Sequence, residues 1–115
     1  MITGAHAILY SPSADEVRAF LVDLLGTPHV DAGDGWLIAR LPPAEVAVHP
    51  GDETGRIELY LMTDDLESAI DQLRAKGVET DPVIDQGWGL LTYIRLPDGG
   101  ELGLYEPRHP TAIDR

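Results

Sequence analysis

The side chains best suited to chemistry in this sequence are a few histidines, one glutamate and a group of aromatic residues. His6 and Glu58 offer an imidazole and a carboxylate, a pair that can move a proton near neutral pH or donate two ligands to a divalent ion. His49 could add a third ligand. The chain has no cysteine, which excludes disulfides, thiolate metal sites and a cysteine nucleophile and leaves His, Asp and Glu as the available metal donors. Tyr10, Tyr60, Met62, Trp88, Tyr93 and Tyr105 supply apolar, largely aromatic surfaces on which a small organic molecule can stack. Trp88 lies between Gly87 and Gly89, so its loop is free to swing toward a ligand. Trp36, also preceded by a glycine, reads as an anchor of its loop into the core. No phosphate loop, nucleophile elbow or zinc-binding helix motif occurs.

These residues must be positioned by strands, and strand side chains alternate between two faces. Ala5, Ala7 and Leu9; Val46 and Val48; Ile57, Leu59 and Leu61; and Leu102 and Leu104 form uniformly apolar sets that belong under helices. The intervening sets are His6, Ile8 and Tyr10; Glu45, Ala47 and His49; Glu58, Tyr60 and Met62; and Glu101, Gly103 and Tyr105. Their mixture of aromatic, acidic and imidazole groups suits a cleft for a small molecule.

The strands belong to a repeated pattern. Gly35-Trp36 followed by Ile38-Ala39-Arg40-Leu41-Pro42 returns as Gly87-Trp88 followed by Ile94-Arg95-Leu96-Pro97, and each copy leads to a strand opening on an acid, Glu45 or Glu101. Arg40 and Arg95 each precede Leu-Pro and read as strand-end ion-pair partners. Ser13-Ala14-Asp15-Glu16 predicts a capping box for a helix carrying Val17, Phe20, Leu21, Leu24 and Leu25 and closed by Gly26. Asp64-Asp65-Leu66 predicts the start of a second helix, with Leu66, Ala69, Ile70 and Leu73 on one face and Gly77 as its stop. Strands over 4–10 and 57–62 precede the two helices, and shorter strands follow each. Each half therefore reads β-α-β-β-β. The fold class is α+β in a single domain: module 1 over about 1–52, module 2 over about 55–107, and a polar tail over 108–115.

At 115 residues, neither half is long enough for a core of its own. Twenty acids against eight bases give a formal charge of −12, which repels phosphate backbones and anionic lipid surfaces and argues against nucleic-acid and membrane partners. No apolar run approaches the ~20 residues of a membrane span. The opening MITGAHAILY has no basic export region, so the expected location is cytoplasmic.

The repeated module order, His6 on the first strand, Leu24-Leu25-Gly26, Asp64-Asp65-Leu66 and the run Leu96-Pro97-Asp98-Gly99-Gly100-Glu101-Leu102-Gly103-Leu104-Tyr105-Glu106 together resemble the vicinal oxygen chelate superfamily. This superfamily includes glyoxalase I, extradiol dioxygenases and bleomycin-resistance proteins. The resemblance covers essentially the whole chain and implies two βαβββ modules whose curled mixed sheet encloses a cleft, in a homodimer whose cleft is completed by the second subunit. It places the four family metal ligands at His6, Ala47, Glu58 and Gly103, two of which have no donor atom. Two functions follow as expectations. The first is metal-independent binding of a small aromatic or cationic molecule, with His6 orienting the ligand, as in bleomycin-resistance-like sequestration. The alternative is a glyoxalase-like lyase or isomerase, or a dioxygenase. It would use His6 and Glu58 as catalytic groups, or a divalent Zn, Ni, Mn or Fe held by His6, Glu58 and His49.

Overall fold

The computed structural model describes residues 6–45, 47, 48, 50, 52, 54 and 56–113. The described elements, in chain order, are α1 (Ala14–Leu25), β1 (His29–Asp31), β2 (Leu37–Ala39), β3 (Tyr60–Met62), α2 (Leu66–Ala75), β4 (Ile84–Asp85), β5 (Gly89–Arg95) and β6 (Glu101–Pro107). Residues 60–107 make one complete βαβββ-like module. Its mixed sheet runs β3-β6-β5-β4, with β3 parallel to β6 and the other pairs antiparallel. Of the first half, α1 and a β1–β2 hairpin are present.

Local chemistry sets the helix ends. Asp65 caps α2 by accepting the Ser68 amide at 3.0 Å, leaving fewer unpaired amides in the first turn. At the other end, Val78 returns its amide to the Leu73 carbonyl and Gly77 to that of Arg74, with Gly77 at φ 77°, a conformation glycine adopts without a Cβ penalty. Gly26 closes α1 in the same left-handed region, at φ 61°. The capping box expected at Ser13 does not form: its side chain makes no cap bond, and its amide instead donates to the Ser11 hydroxyl. Ser11 in turn donates to the Asp98 carboxylate in the β5–β6 turn, which ties the N-terminal half to the hairpin.

Leu66, Ile70 and Leu73 of α2 bury against Ile94, Leu102 and Leu104 on one sheet face, with Phe20, Leu21 and Leu24 of α1 and Leu59 and Leu61 packed around them. Removing each large aliphatic side chain from water stabilises the fold by roughly 1.5–3 kcal/mol. Thr92 points into the same layer, fully buried, with its hydroxyl donating to the Asp81 carbonyl at 2.7 Å. This hydrogen bond satisfies a group that would otherwise be costly to bury. Arg95 pairs with Asp81 and Glu101, the strand-end role expected of it.

Four expectations are corrected. Residues 6–10 carry no strand, and Ile8, Leu9 and Tyr10 are exposed, because no neighbouring strand pairs their backbone groups among the described residues. Glu45, Ala47 and Val48 are likewise outside any strand; Ala5, Val46 and His49 lie outside the described residues. The strand expected over 57–62 shortens to Tyr60–Met62, where Gly103–Tyr105 of β6 provide its partners, and Ile57 is 89% exposed. Trp36 does not enter the core. It stays on the surface beneath Arg18, whose guanidinium carbon lies 4.5 Å from the ring centroid.

Candidate functional site

The register of β3, β6 and β5 gathers one set of side chains on the sheet face opposite the helices. Tyr60 pairs with Gly103 and Gly103 with Tyr93; Met62 pairs with Tyr105 and Tyr105 with Leu91. Directly opposed residues point to the same side, so Tyr60, Met62, Tyr93, Tyr105 and Leu91 share this face. Trp88 joins them from the turn before β5, its ring edge-on to Tyr105 at 5.3 Å between centroids. Tyr60 meets Tyr105 edge-on from the other side at 6.0 Å. Glycine makes both approaches possible. The Tyr60 ring lies across Gly103, and at Gly89 an added Cβ would press on the Glu106 carbonyl and the Tyr105 ring.

Acids edge the aromatic cluster. The Tyr60 hydroxyl donates to Glu58 at 2.6 Å, and Arg56 pairs with the other oxygen of that carboxylate. The Glu58 hydrogen bond, followed by burial and the neighbouring Tyr93, holds the Tyr60 phenol well above the ordinary tyrosine range. Burial raises Tyr105 too, with a smaller contribution from the negative charge of Glu45. Both rings are therefore neutral hydrogen-bonding groups at physiological pH.

Tyr60, Met62, Trp88, Tyr93 and Tyr105, expected on one cleft face, are thus brought together. Tyr10 is not, being 91% exposed on the strandless N-terminal segment that also carries His6. His49 falls outside the described residues. Two shallow depressions of about 370 and 360 Å³ lie elsewhere, along Arg74–Thr80 and beside Phe20 and Arg95. No curled sheet covers the aromatic cluster among the described residues.

One contributor was not legible in the sequence. His109, expected in a polar tail, stacks on Tyr105 with ring centroids 6.0 Å apart and planes 29° from parallel. The Arg108 amide donates to the Trp88 carbonyl at 2.8 Å, and the Ala112 amide donates to Glu45 at 2.7 Å. Residues 108–113 therefore run as a strap along the site.

No family model and no curated protein matches the sequence. Solved structures do. TnmS3, an antibiotic binding protein from Streptomyces sp. CB03234, superposes with a TM-score of 0.62 at 24% identity, over 93% of this chain and 99% of its own. A glyoxalase family protein from Enterococcus faecalis gives 0.56 at 21% identity, over 79% and 86%. Lactoylglutathione lyase from Agrobacterium tumefaciens gives 0.55 at 18% identity, over 90% and 92%.

The chain has the vicinal oxygen chelate fold. Metal-dependent proteins of that fold raise the question of whether this site suits a divalent ion, and the described residues do not fit one. Ala47 has no donor, and the ring of Tyr60 fills the space a side chain at Gly103 would need. Glu58 is engaged by Tyr60 and Arg56. Among the described residues, no three His, Asp or Glu side chains come together as a metal site. What the vicinal oxygen chelate scaffold presents here is an aromatic surface with an acidic edge, suited to stacking and charge attraction.

Proposed function

We propose that this protein binds a small aromatic, cationic organic molecule and holds it without chemical change. The observation that carries this reading is the Trp88–Tyr105–Tyr60 cluster on a helix-free sheet face, with Glu58 and Glu45 at its edge. Aromatic rings attract cations through their faces, and desolvation strengthens the attraction. The net charge of −12 adds long-range steering of the same sign. The likeness to TnmS3, an antibiotic binding protein, supports the same direction. So does the resemblance to bleomycin-resistance proteins, which work by sequestration.

The complete site in this reading is a cleft, closed by the first βαβββ module or by a second copy of the chain. Ile8, Leu9, Tyr10, Val48, Ile57 and Trp88 are exposed, an apolar total that favours burial by association. Light scattering should give twice the 12.5 kDa chain mass; a monomer that persists at high concentration removes the shared cleft.

Calorimetric titration with proflavine, a planar cation, against a naphthalene sulfonate of similar size tests the ligand class. Saturable binding of the cation that is lost in Tyr105→Ala supports the reading. Equal affinity for both, or binding unaffected by Tyr105→Ala, overturns it.

A further inference from the structure

The strap formed by residues 108–113 has a chemical feature beyond its position. His109 places a flat nitrogen heterocycle against Tyr105, 29° from parallel. Its Nδ1–H donates to the Pro110 carbonyl at 2.8 Å, and its Nε2 faces the Tyr105 hydroxyl, 3.4 Å away. The chain thereby shows which kind of ring this part of the site accepts. No second ring fits between them, because stacking a guest between two rings requires about 7 Å, twice a van der Waals separation, and the centroids are 6.0 Å apart.

The fastenings of the strap include two backbone-amide hydrogen bonds and an exposed ion pair. The Arg108 amide holds the Trp88 carbonyl. Arg108 also pairs with Asp85 at 3.2 Å across exposed surface, where an ion pair contributes little. Further along, the Ala112 amide occupies an oxygen of Glu45. Glu45 lies close enough to Tyr105 for its charge to be felt by the phenol. Lifting the strap would free both the ring face and that carboxylate, an aromatic platform and a nearby anion.

Resting on the small-molecule reading above, we propose that the His109-covered face of Tyr105 is a stacking subsite for a planar nitrogen heterocycle. A cationic guest enters it by displacing the strap and pairing with Glu45. His109 is then the chain's own occupant of the subsite and sets a threshold that a guest must exceed, favouring broad fused rings over single small ones.

Proflavine titration of four proteins tests this: wild type, His109→Ala, Glu45→Gln and Tyr105→Ala. The expected result is affinity raised about three- to tenfold in His109→Ala, the worth of one aromatic pair. Affinity should fall in Glu45→Gln and vanish in Tyr105→Ala. In the wild type, the ring-current-shifted imidazole proton resonances of His109 should move to unstacked positions as proflavine saturates. If the wild type binds but His109→Ala binds equally or more weakly, or the imidazole resonances stay in place, the strap is not a displaced occupant and only this inference fails. If proflavine binds none of the proteins, the small-molecule reading fails and this inference falls with it.

Discussion

The ring of Tyr60 lies over the bare backbone of Gly103, its register partner on β6. An aromatic ring across a strand glycine shelters backbone that has no side chain of its own, and here it also occupies the position where the superfamily resemblance places a metal ligand. Gly103→Ala should therefore cost about 1–3 kcal/mol through overpacking. In a Tyr60→Ala background the same change should be neutral or stabilising, since alanine orders a strand at less entropic cost than glycine. Denaturant midpoints for the four members of this cycle measure the coupling. Additive effects would mean that the ring and the glycine do not meet.

The two faces of the sheet make a second test. Leu66 and Ile94 are almost fully buried between α2 and the sheet, so Leu66→Ala or Ile94→Ala should destabilise by about 2–5 kcal/mol. Ile57, which alternation assigned to the same core, is exposed, and Ile57→Ala should change stability by less than about 0.5 kcal/mol. A loss at Ile57 comparable to that at Ile94 would show that the strand expected over 57–62 packs along its whole length in solution.

Residue by residue, the legible parts of the fold are those whose causes are local. Asp65, the Leu66, Ile70 and Leu73 stripe, and Gly77 together encode α2 within about a dozen positions. Asp98 and Gly99 encode the β5–β6 turn, where Gly99 adopts φ 85° and Asp98 accepts the Gly100 amide. Parity then sorted Leu102 and Leu104 from Gly103 and Tyr105 correctly, because both neighbours of β6 are present. The same alternation misled in residues 6–10, since a strand exists only where another strand pairs with it, and alternation does not encode that partner. His109 was hidden for a related reason. It lies beyond Pro107, where strand periodicity ends, and its contact with Tyr105 depends on the path of the strap.

The tyrosines give the site a pH signature. The folded-state pKa of Tyr60 is raised, first by its hydrogen bond to Glu58, and that of Tyr105 by burial. A raised folded pKa means that the unfolded chain releases its protons first as pH rises. The stabilisation is therefore fully present below the ordinary phenol value of about 10 and is lost progressively as pH climbs from there toward the folded values. Ultraviolet titration of the phenolates should show Tyr60 ionising above the ordinary phenol range, and Glu58→Gln should bring it back toward that range. An unchanged titration in Glu58→Gln would mean that the Tyr60–Glu58 hydrogen bond does not form.

Metal binding is where the superfamily resemblance and the residues of this chain diverge most. A divalent ion at the resembling positions would find an imidazole at His6 and a carboxylate at Glu58, and nothing from Ala47 or Gly103. Recruiting Glu58 would require breaking its contacts with Tyr60 and Arg56, and putting a donor at 103 would require moving the Tyr60 ring. Dependable zinc sites use three or four protein ligands, and imidazole-rich sites favour zinc and nickel over manganese. Chelator-stripped protein titrated calorimetrically with zinc, nickel and manganese should accordingly bind none of them more tightly than the micromolar range, and His6→Ala should leave stability and proflavine binding unchanged. Nanomolar affinity for any of the three, abolished by His6→Ala, would overturn the binding-protein reading. It would mean that His6, on its strandless segment, swings in to complete a site, and the chain would then belong with the metal-dependent enzymes of this fold.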